Sequence, residues 1–97
     1  MIEFDPVKDA INIAVHGISL ARATELLAGF TQEWIDIRRD YGEIRTIAIG
    51  EIGGIEYVCV YARRGEAFRP ISLRRAKRRE RDVYQKAKAA QRGAGAA

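Results

Sequence analysis

Residues 44–75 read IRTIAIGEIGGIEYVCVYARRGEAFRPISLRR, and this stretch decides the fold. Ile44–Ile52 and Ile55–Arg63 are rich in β-branched and aromatic residues, and Gly53-Gly54 between them is a two-residue hairpin signature. Arg63-Arg64-Gly65-Glu66 reads as a second turn and Ala67–Leu73 as the next strand. Pro70 has no N–H to give to a ladder, so that strand lies at an edge or carries a bulge there. Strand alternation puts Arg64 on the face of Val58 and Val60, and Arg63 on the face of Tyr57 and Tyr61.

Upstream, Glu33–Arg38 also alternates, with Ile35 and Ile37 on one side and Trp34 and Asp36 on the other. Before it the period is helical. Asp5-Pro6 places a capping side chain ahead of a proline at the first helical position. Val7, Ala10, Ile11 and Ala14 follow as a stripe, and Gly17 supplies the stop. Ser19 caps a second helix with Leu20, Ala23 and Leu27 on one face, and Ile2–Phe4 is short enough for an edge strand. Downstream, the helical pattern resumes at Ala76, with Val83, Tyr84, Ala87 and Ala90 as its stripe. The order β-α-α-β-β-β-β-α predicts an α+β domain, an antiparallel sheet with helices packed on it. Residues 1–91 form one domain, and 92–97, small and Gly/Ala-rich, are expected to be a fraying, flexible tail.

The chain has 97 residues, 47% of them apolar, which suits one small globular core. No apolar run reaches the roughly 18 residues of a membrane span, and MIEFDPVKD has acids where a secretory signal has basic and apolar stretches. Cys59 is the single cysteine, so no internal disulfide is possible, and no Cys/His cluster has zinc spacing. The expected compartment is a reducing cytoplasm, with no membrane association and no cofactor.

Charge is divided along the chain. Residues 1–60 carry five Lys/Arg against ten acids, a balance of −5, and residues 61–97 carry twelve against three, a balance of +9. Nine of the twelve are arginines, whose planar fork suits phosphate. A polyanionic ligand, an acidic partner or a solvated basic face would each account for this asymmetry.

Four residues are candidates for chemistry. His16, the sole histidine, is placed either to meet the last carbonyls of its helix or to act as a general acid/base. Arg64 and Arg69 flank one turn, where two arginines could neutralise charge building on a phosphorane-like transition state or simply end their strands. Glu80 lies four before Tyr84, on the packing stripe, and there needs a cationic partner from the last strand. It is either a salt bridge clipping the helix to the sheet or a base tuned by arginines. Arg74, Arg75, Lys77, Arg78, Arg79 and Arg81 oppose the dipole of the helix they begin, so an anion explains them better than helix stability does.

The chain resembles the BrnT family of type II toxin–antitoxin toxins to about Tyr84. The resemblance rests on FDPVKDAINIAVHGIS, GEIRTIAIG, VYARRG and FRPISLRRAKRRERDVY, with Lys8, Asn12, His16 and Gly17 in ordered spacing and Arg64, Arg69, Ser72, Arg74, Glu80 and Tyr84 after them. Val15 stands where the family commonly has lysine, and Pro70 where it has a β-branched residue. The resemblance implies a RelE-like fold and a ribonuclease that degrades RNA and stops growth. It also implies a BrnA-like ribbon-helix-helix antitoxin, with operator DNA bound only through the complex.

The expected mechanism is metal-independent attack by a ribose 2′-hydroxyl. Arg64 and Arg69 hold the phosphate, His16 or Glu80 moves protons, and Lys8, Arg45, Arg74, Arg78 and Arg81 bind RNA. The rival expectation is a non-catalytic basic module that binds an acidic protein or nucleic acid.

Overall fold

In the computed structural model, which describes residues 2–95, the first helix starts where its capping pair stands. Asp5 accepts the Val7 N–H at 2.8 Å, and α1 (Pro6–His16) runs to Gly17, whose φ of 73° ends it in the left-handed region. Ser19 accepts from the Ala21 N–H to open a 3₁₀ turn (Leu20–Arg22), which passes directly into α2 (Ala23–Ala28). Four strands follow: β1 (Gln32–Ile35), β2 (Arg45–Ile52), β3 (Ile55–Arg64) and β4 (Ala67–Arg75). They form one antiparallel sheet in the order β1-β2-β3-β4. Gly53 and Gly54, at φ 58° and 80°, make the turn between β2 and β3. Helix α3 (Arg78–Gly95) closes the described chain.

The architecture is the α+β arrangement that the sequence predicts, with local differences. Ile2–Phe4 supplies only a single parallel bridge, Ile2 to Phe68, with the Glu3 N–H donating to the Phe68 carbonyl at 2.9 Å. Ala76 precedes α3 rather than opening it, because its N–H is taken by the Glu56 carbonyl at 3.0 Å. Residues 96–97 of the expected tail lie outside the described residues, and α3 is helical as far as Gly95.

One face of the sheet packs on the helical hairpin. Leu20, Ala23, Leu26, Ala48, Cys59 and Leu73 are buried there, and Leu26 rather than Leu27 is the fully buried leucine of α2. Gly50 lies under Leu26, where an added Cβ would come within 2.9 Å of Leu26 Cγ. The second face carries a smaller cluster of Ile49, Val58, Ala76 and Tyr84, with Phe30 and Ile47 against it. Tyr84 anchors α3 there, donating to Glu51 Oε2 at 2.6 Å, and Lys88 meets the same oxygen. Burial, and then its own hydrogen bond to the Glu51 carboxylate, push the Tyr84 phenol well above its ordinary range.

Helix α1 does not bury the stripe its sequence offers. Val7 is 67% exposed and Ile11 57%, whereas Asn12 is buried. The Asn12 side-chain amide donates to the carbonyls of Ile18 and Leu73 at 2.9 Å each, and its oxygen accepts the Leu73 N–H at 3.1 Å. Leu73 belongs to an edge strand, so one asparagine supplies what a fifth strand would have supplied. Asp9 holds the same corner, accepting from the Leu20 N–H at 2.7 Å and the Ser19 hydroxyl. Asn12→Ala should lower the unfolding free energy by roughly 2–3 kcal/mol, since it strips partners from buried backbone groups worth about 1–3 kcal/mol each. Urea unfolding measures this, and a loss under ~0.5 kcal/mol, the usual range of neutral surface changes, would show that the edge does not depend on Asn12.

Candidate functional site

The second face of the sheet is only partly covered by α3, and its open part is organised in rows across the strands. In the register, Arg45 of β2 stands opposite Ala62 of β3, and Ala62 opposite Arg69 of β4. Directly opposed residues share a face, and strands lie about 4.8 Å apart. The Cα atoms of Arg45 and Arg69 are therefore about 10 Å apart, across a single alanine. Arg64 lies two residues beyond Ala62 on the same face, diagonal to Arg69. The next row is Ile47, Val60 and Ser72, and the third is Ile49, Val58 and Arg74.

Arg69 and Ser72 are an odd number of residues apart and would point to opposite faces of a regular strand. The register shift between Val60 and Tyr61 prevents this, because Val60 pairs with Ser72 and Tyr61 with Pro70, leaving Ile71 unpaired. The bulge at Pro70-Ile71 thus turns Arg69 onto the face of Ser72 and Arg74. β4 is both an edge strand and a bulged one, so each option that Pro70 allowed is realised.

The arginines differ in their partners. Arg38 grips the buried Asp36 through two hydrogen bonds of 2.8 and 2.7 Å, and the Tyr41 hydroxyl donates to the same carboxylate at 2.9 Å. These contacts hold the Asp36 carboxyl well below the usual carboxylate range, against the opposing effect of burial. Arg45 lies over the Tyr41 ring at 4.2 Å and contacts Glu43 at 3.2 Å. Arg74 binds Glu80 bidentately at 2.8 Å per bond. Among the described residues, Arg64 and Arg69 form no ion pair.

The remaining expected site residues lie around this face. Lys8 and His16 line a groove of about 220 Å³ between α1 and β4, shared with Ile71 and Ser72, so both stand beyond the β4 edge. Arg69 also borders a recess of about 260 Å³ with Glu3, Phe4 and Asp5. Arg78 is exposed at the first position of α3, and Arg81 donates to the Ala76 carbonyl at 3.1 Å. The structure therefore brings Arg45, Arg64 and Arg69 together, puts Arg74 two rows away, and leaves Lys8, His16, Arg78 and Arg81 at the periphery. Sequence reasoning did not single out Trp34 or Arg38 as site residues and read Arg79 only as part of the basic run at the start of the last helix, although all three flank this face. The alternation of Trp34 with Asp36 was the available signal.

Glu80 is fully engaged. Besides Arg74 it accepts the Lys77 N–H at 2.7 Å, half of a capping box at the start of α3. Mainly through Arg74, its pKa is pushed down to about 2 from an ordinary 4.5. A carboxylate with a depressed folded pKa adds stability that is complete above its unfolded pKa and is lost as pH falls through the folded one. The Glu80 contribution should therefore be whole above about pH 4.5 and disappear toward pH 2. Glu80→Gln should cost roughly 1 kcal/mol near neutrality, the scale of a lost helix cap, and the gap to wild type should close on acidification. Unfolding free energies of both proteins between pH 2 and 6 test this, and a pH-independent gap would refute the assignment.

The residues that the match to known proteins spans include every part of this face except the later turns of α3. Residues 4–80 of the 97 match the family model described as the ribonuclease toxin BrnT of type II toxin–antitoxin systems. Among curated proteins, no relative matches the chain. With that match covering both the arginine rows and the Asn12 edge, the chain belongs to the BrnT family of type II toxin–antitoxin ribonuclease toxins.

Proposed function

We propose that the open sheet face binds single-stranded RNA and cleaves it without a metal, on a RelE-like scaffold. The observation that carries this reading is the cluster of Arg45, Arg64 and Arg69 around Ala62. Two of the three guanidinium groups have no carboxylate partner among the described residues, so their charge is available to a phosphate. In the reaction, a ribose 2′-oxygen attacks the adjacent phosphorus and the 5′-oxygen leaves, giving a 2′,3′-cyclic phosphate and a 5′-hydroxyl. Arg64 and Arg69 stabilise the charge that accumulates on the phosphoryl oxygens. His16, across the β4 edge from Ser72, takes the 2′-hydroxyl proton and returns one to the leaving oxygen.

Glu80 acts in this reading by holding Arg74 toward the flanking backbone, because both its oxygens are occupied and its low pKa makes it a weak base. Lys8, Arg45, Arg74, Arg78 and Arg81 supply the remaining phosphate contacts. A BrnA-like ribbon-helix-helix antitoxin covers the same basic surface with an acidic or extended segment. Operator DNA is bound only by that complex, and the pair works in the cytoplasm.

Arg64→Ala and Arg69→Ala should each slow cleavage of a single-stranded RNA about 10²- to 10³-fold, the range for removing one transition-state donor. Circular dichroism should show both variants folded, and wild-type cleavage should persist in a chelator. Induced expression should arrest bacterial growth unless the antitoxin is co-expressed. Cleavage that survives in both folded variants would overturn the roles of Arg64 and Arg69. RNA bound with the salt dependence of phosphate contacts but left uncut would establish the non-catalytic module instead.

A further inference from the structure

Trp34 is the only tryptophan of the chain, and its placement is not explained by packing. It stands opposite Ile47 on the open sheet face and is 42% exposed, whereas a ring of this size is ordinarily well buried. The ring contacts of the described residues pair Phe30 with Tyr84 and Tyr61 with Phe68, and leave Trp34 without an aromatic partner. Beside it a recess of about 170 Å³ opens between the sheet and α3, lined by Trp34, Ile49, Arg79, Glu80 and Val83. Val83, expected on the buried stripe of α3, is half-exposed because it forms the wall of this recess.

We infer that this recess is a nucleobase slot, in which Trp34 stacks one base of a bound RNA strand. The inference rests on the RNA-binding reading above and adds to it a position where a base, rather than the backbone, is held. The volume is well below the roughly 300 Å³ at which drug-sized pockets begin, so it takes a single planar ring system and leaves sugar and phosphate outside. The floor is apolar and the rim is cationic. Arg79 is part of the wall, and Arg74 is fixed to Glu80 beside it. A ligand that couples a flat ring to a repeating negative charge satisfies both the floor and the rim. Every base has a π-face, so the slot fixes the register of the strand without selecting a sequence.

The single tryptophan makes the test direct. A short 2′-O-methyl oligoribonucleotide, which cannot undergo 2′-hydroxyl attack, is titrated against the protein while indole fluorescence and, separately, anisotropy of a labelled strand are followed. Saturable quenching is expected at the concentrations where anisotropy reports binding. Trp34→Ala should weaken affinity roughly 5- to 150-fold, the effect of losing one stacked base, with the salt slope unchanged because no charge is removed. Trp34→Phe should recover most of the loss. An oligonucleotide of abasic residues should bind wild type as weakly as the intact strand binds Trp34→Ala. Comparing the abasic with the intact strand on the wild-type protein alone needs no variant, so that arm holds even if Trp34→Ala fails to fold.

Binding without quenching, and with no penalty for the abasic strand, would overturn the slot while leaving RNA binding intact. Quenching by the antitoxin but not by the oligonucleotide would assign the recess to the protein partner and overturn it as well. Absence of any oligonucleotide binding would overturn the RNA reading and the slot with it.

Discussion

The missing N–H of Pro70 constrains the rest of the site. A residue that cannot donate to a ladder is tolerated where the strand has an open side or steps out of register, and β4 does both. The step leaves Ile71 unpaired and brings Arg69, Ser72 and Arg74 onto one face, where regular alternation would have separated Arg69 from the other two. An edge strand with a bulge has dangling backbone groups, and these must be satisfied before anything can be built on it. Asn12 does this for Leu73, and Glu3 for the Phe68 carbonyl. Helix α1 is therefore held to the sheet by hydrogen bonds at its edge more than by an apolar stripe, which explains why Val7, Ile11 and Val15 remain exposed.

The two sheet faces then take different roles. The hairpin face buries Leu20, Leu26, Cys59 and Leu73 and carries most of the core. The other face is covered only where Tyr84 and Ala76 meet Ile49 and Val58. Because α3 leans on that end alone, it leaves uncovered the rows containing Arg45, Ala62, Arg69 and Trp34, Ile47, Val60, Ser72, in which Ala62 is buried while Arg45, Ile47, Val60, Arg69 and Ser72 are half-buried. A small domain cannot leave so much sheet open without a stable core on the reverse side. The close approach of Leu26 to Gly50 is part of what makes that reverse side dense.

What was legible in the sequence was whatever depends on neighbours in the chain. Asp5-Pro6, Ser19, Gly17 and Gly53-Gly54 act within a few residues, and each fixed its cap or turn where expected. Strand parity likewise sorted Arg64 from Arg63, which lies over the Phe68 ring at 4.6 Å on the hairpin face. What was not legible depends on pairings between distant residues. Nothing local to α1 says that Asn12 will meet Leu73, 61 residues away, and that its helix will turn accordingly. Nor does anything local to Trp34 say that Arg79 and Val83 will stand beside it. Glu80 was readable as needing an arginine, but its choice of Arg74 required the β4–α3 corner.

The distribution of partners among the arginines separates scaffold from site. Arg38, Arg45 and Arg74 each hold a carboxylate, at Asp36, Glu43 and Glu80. Such pairs fix the position of a guanidinium but offset its charge, so these residues offer oriented N–H donors more than net potential. Arg64 and Arg69 lie beside the β3–β4 turn without such ion pairs among the described residues, and Arg69 shares only a recess with Glu3 and Asp5. On the proposed RNA-binding reading, a polyanionic strand would be drawn to the unpaired arginines and oriented by the paired ones. The acids of this small chain thus aim its basic residues: removing one would free an arginine and blur the register in which the strand is held.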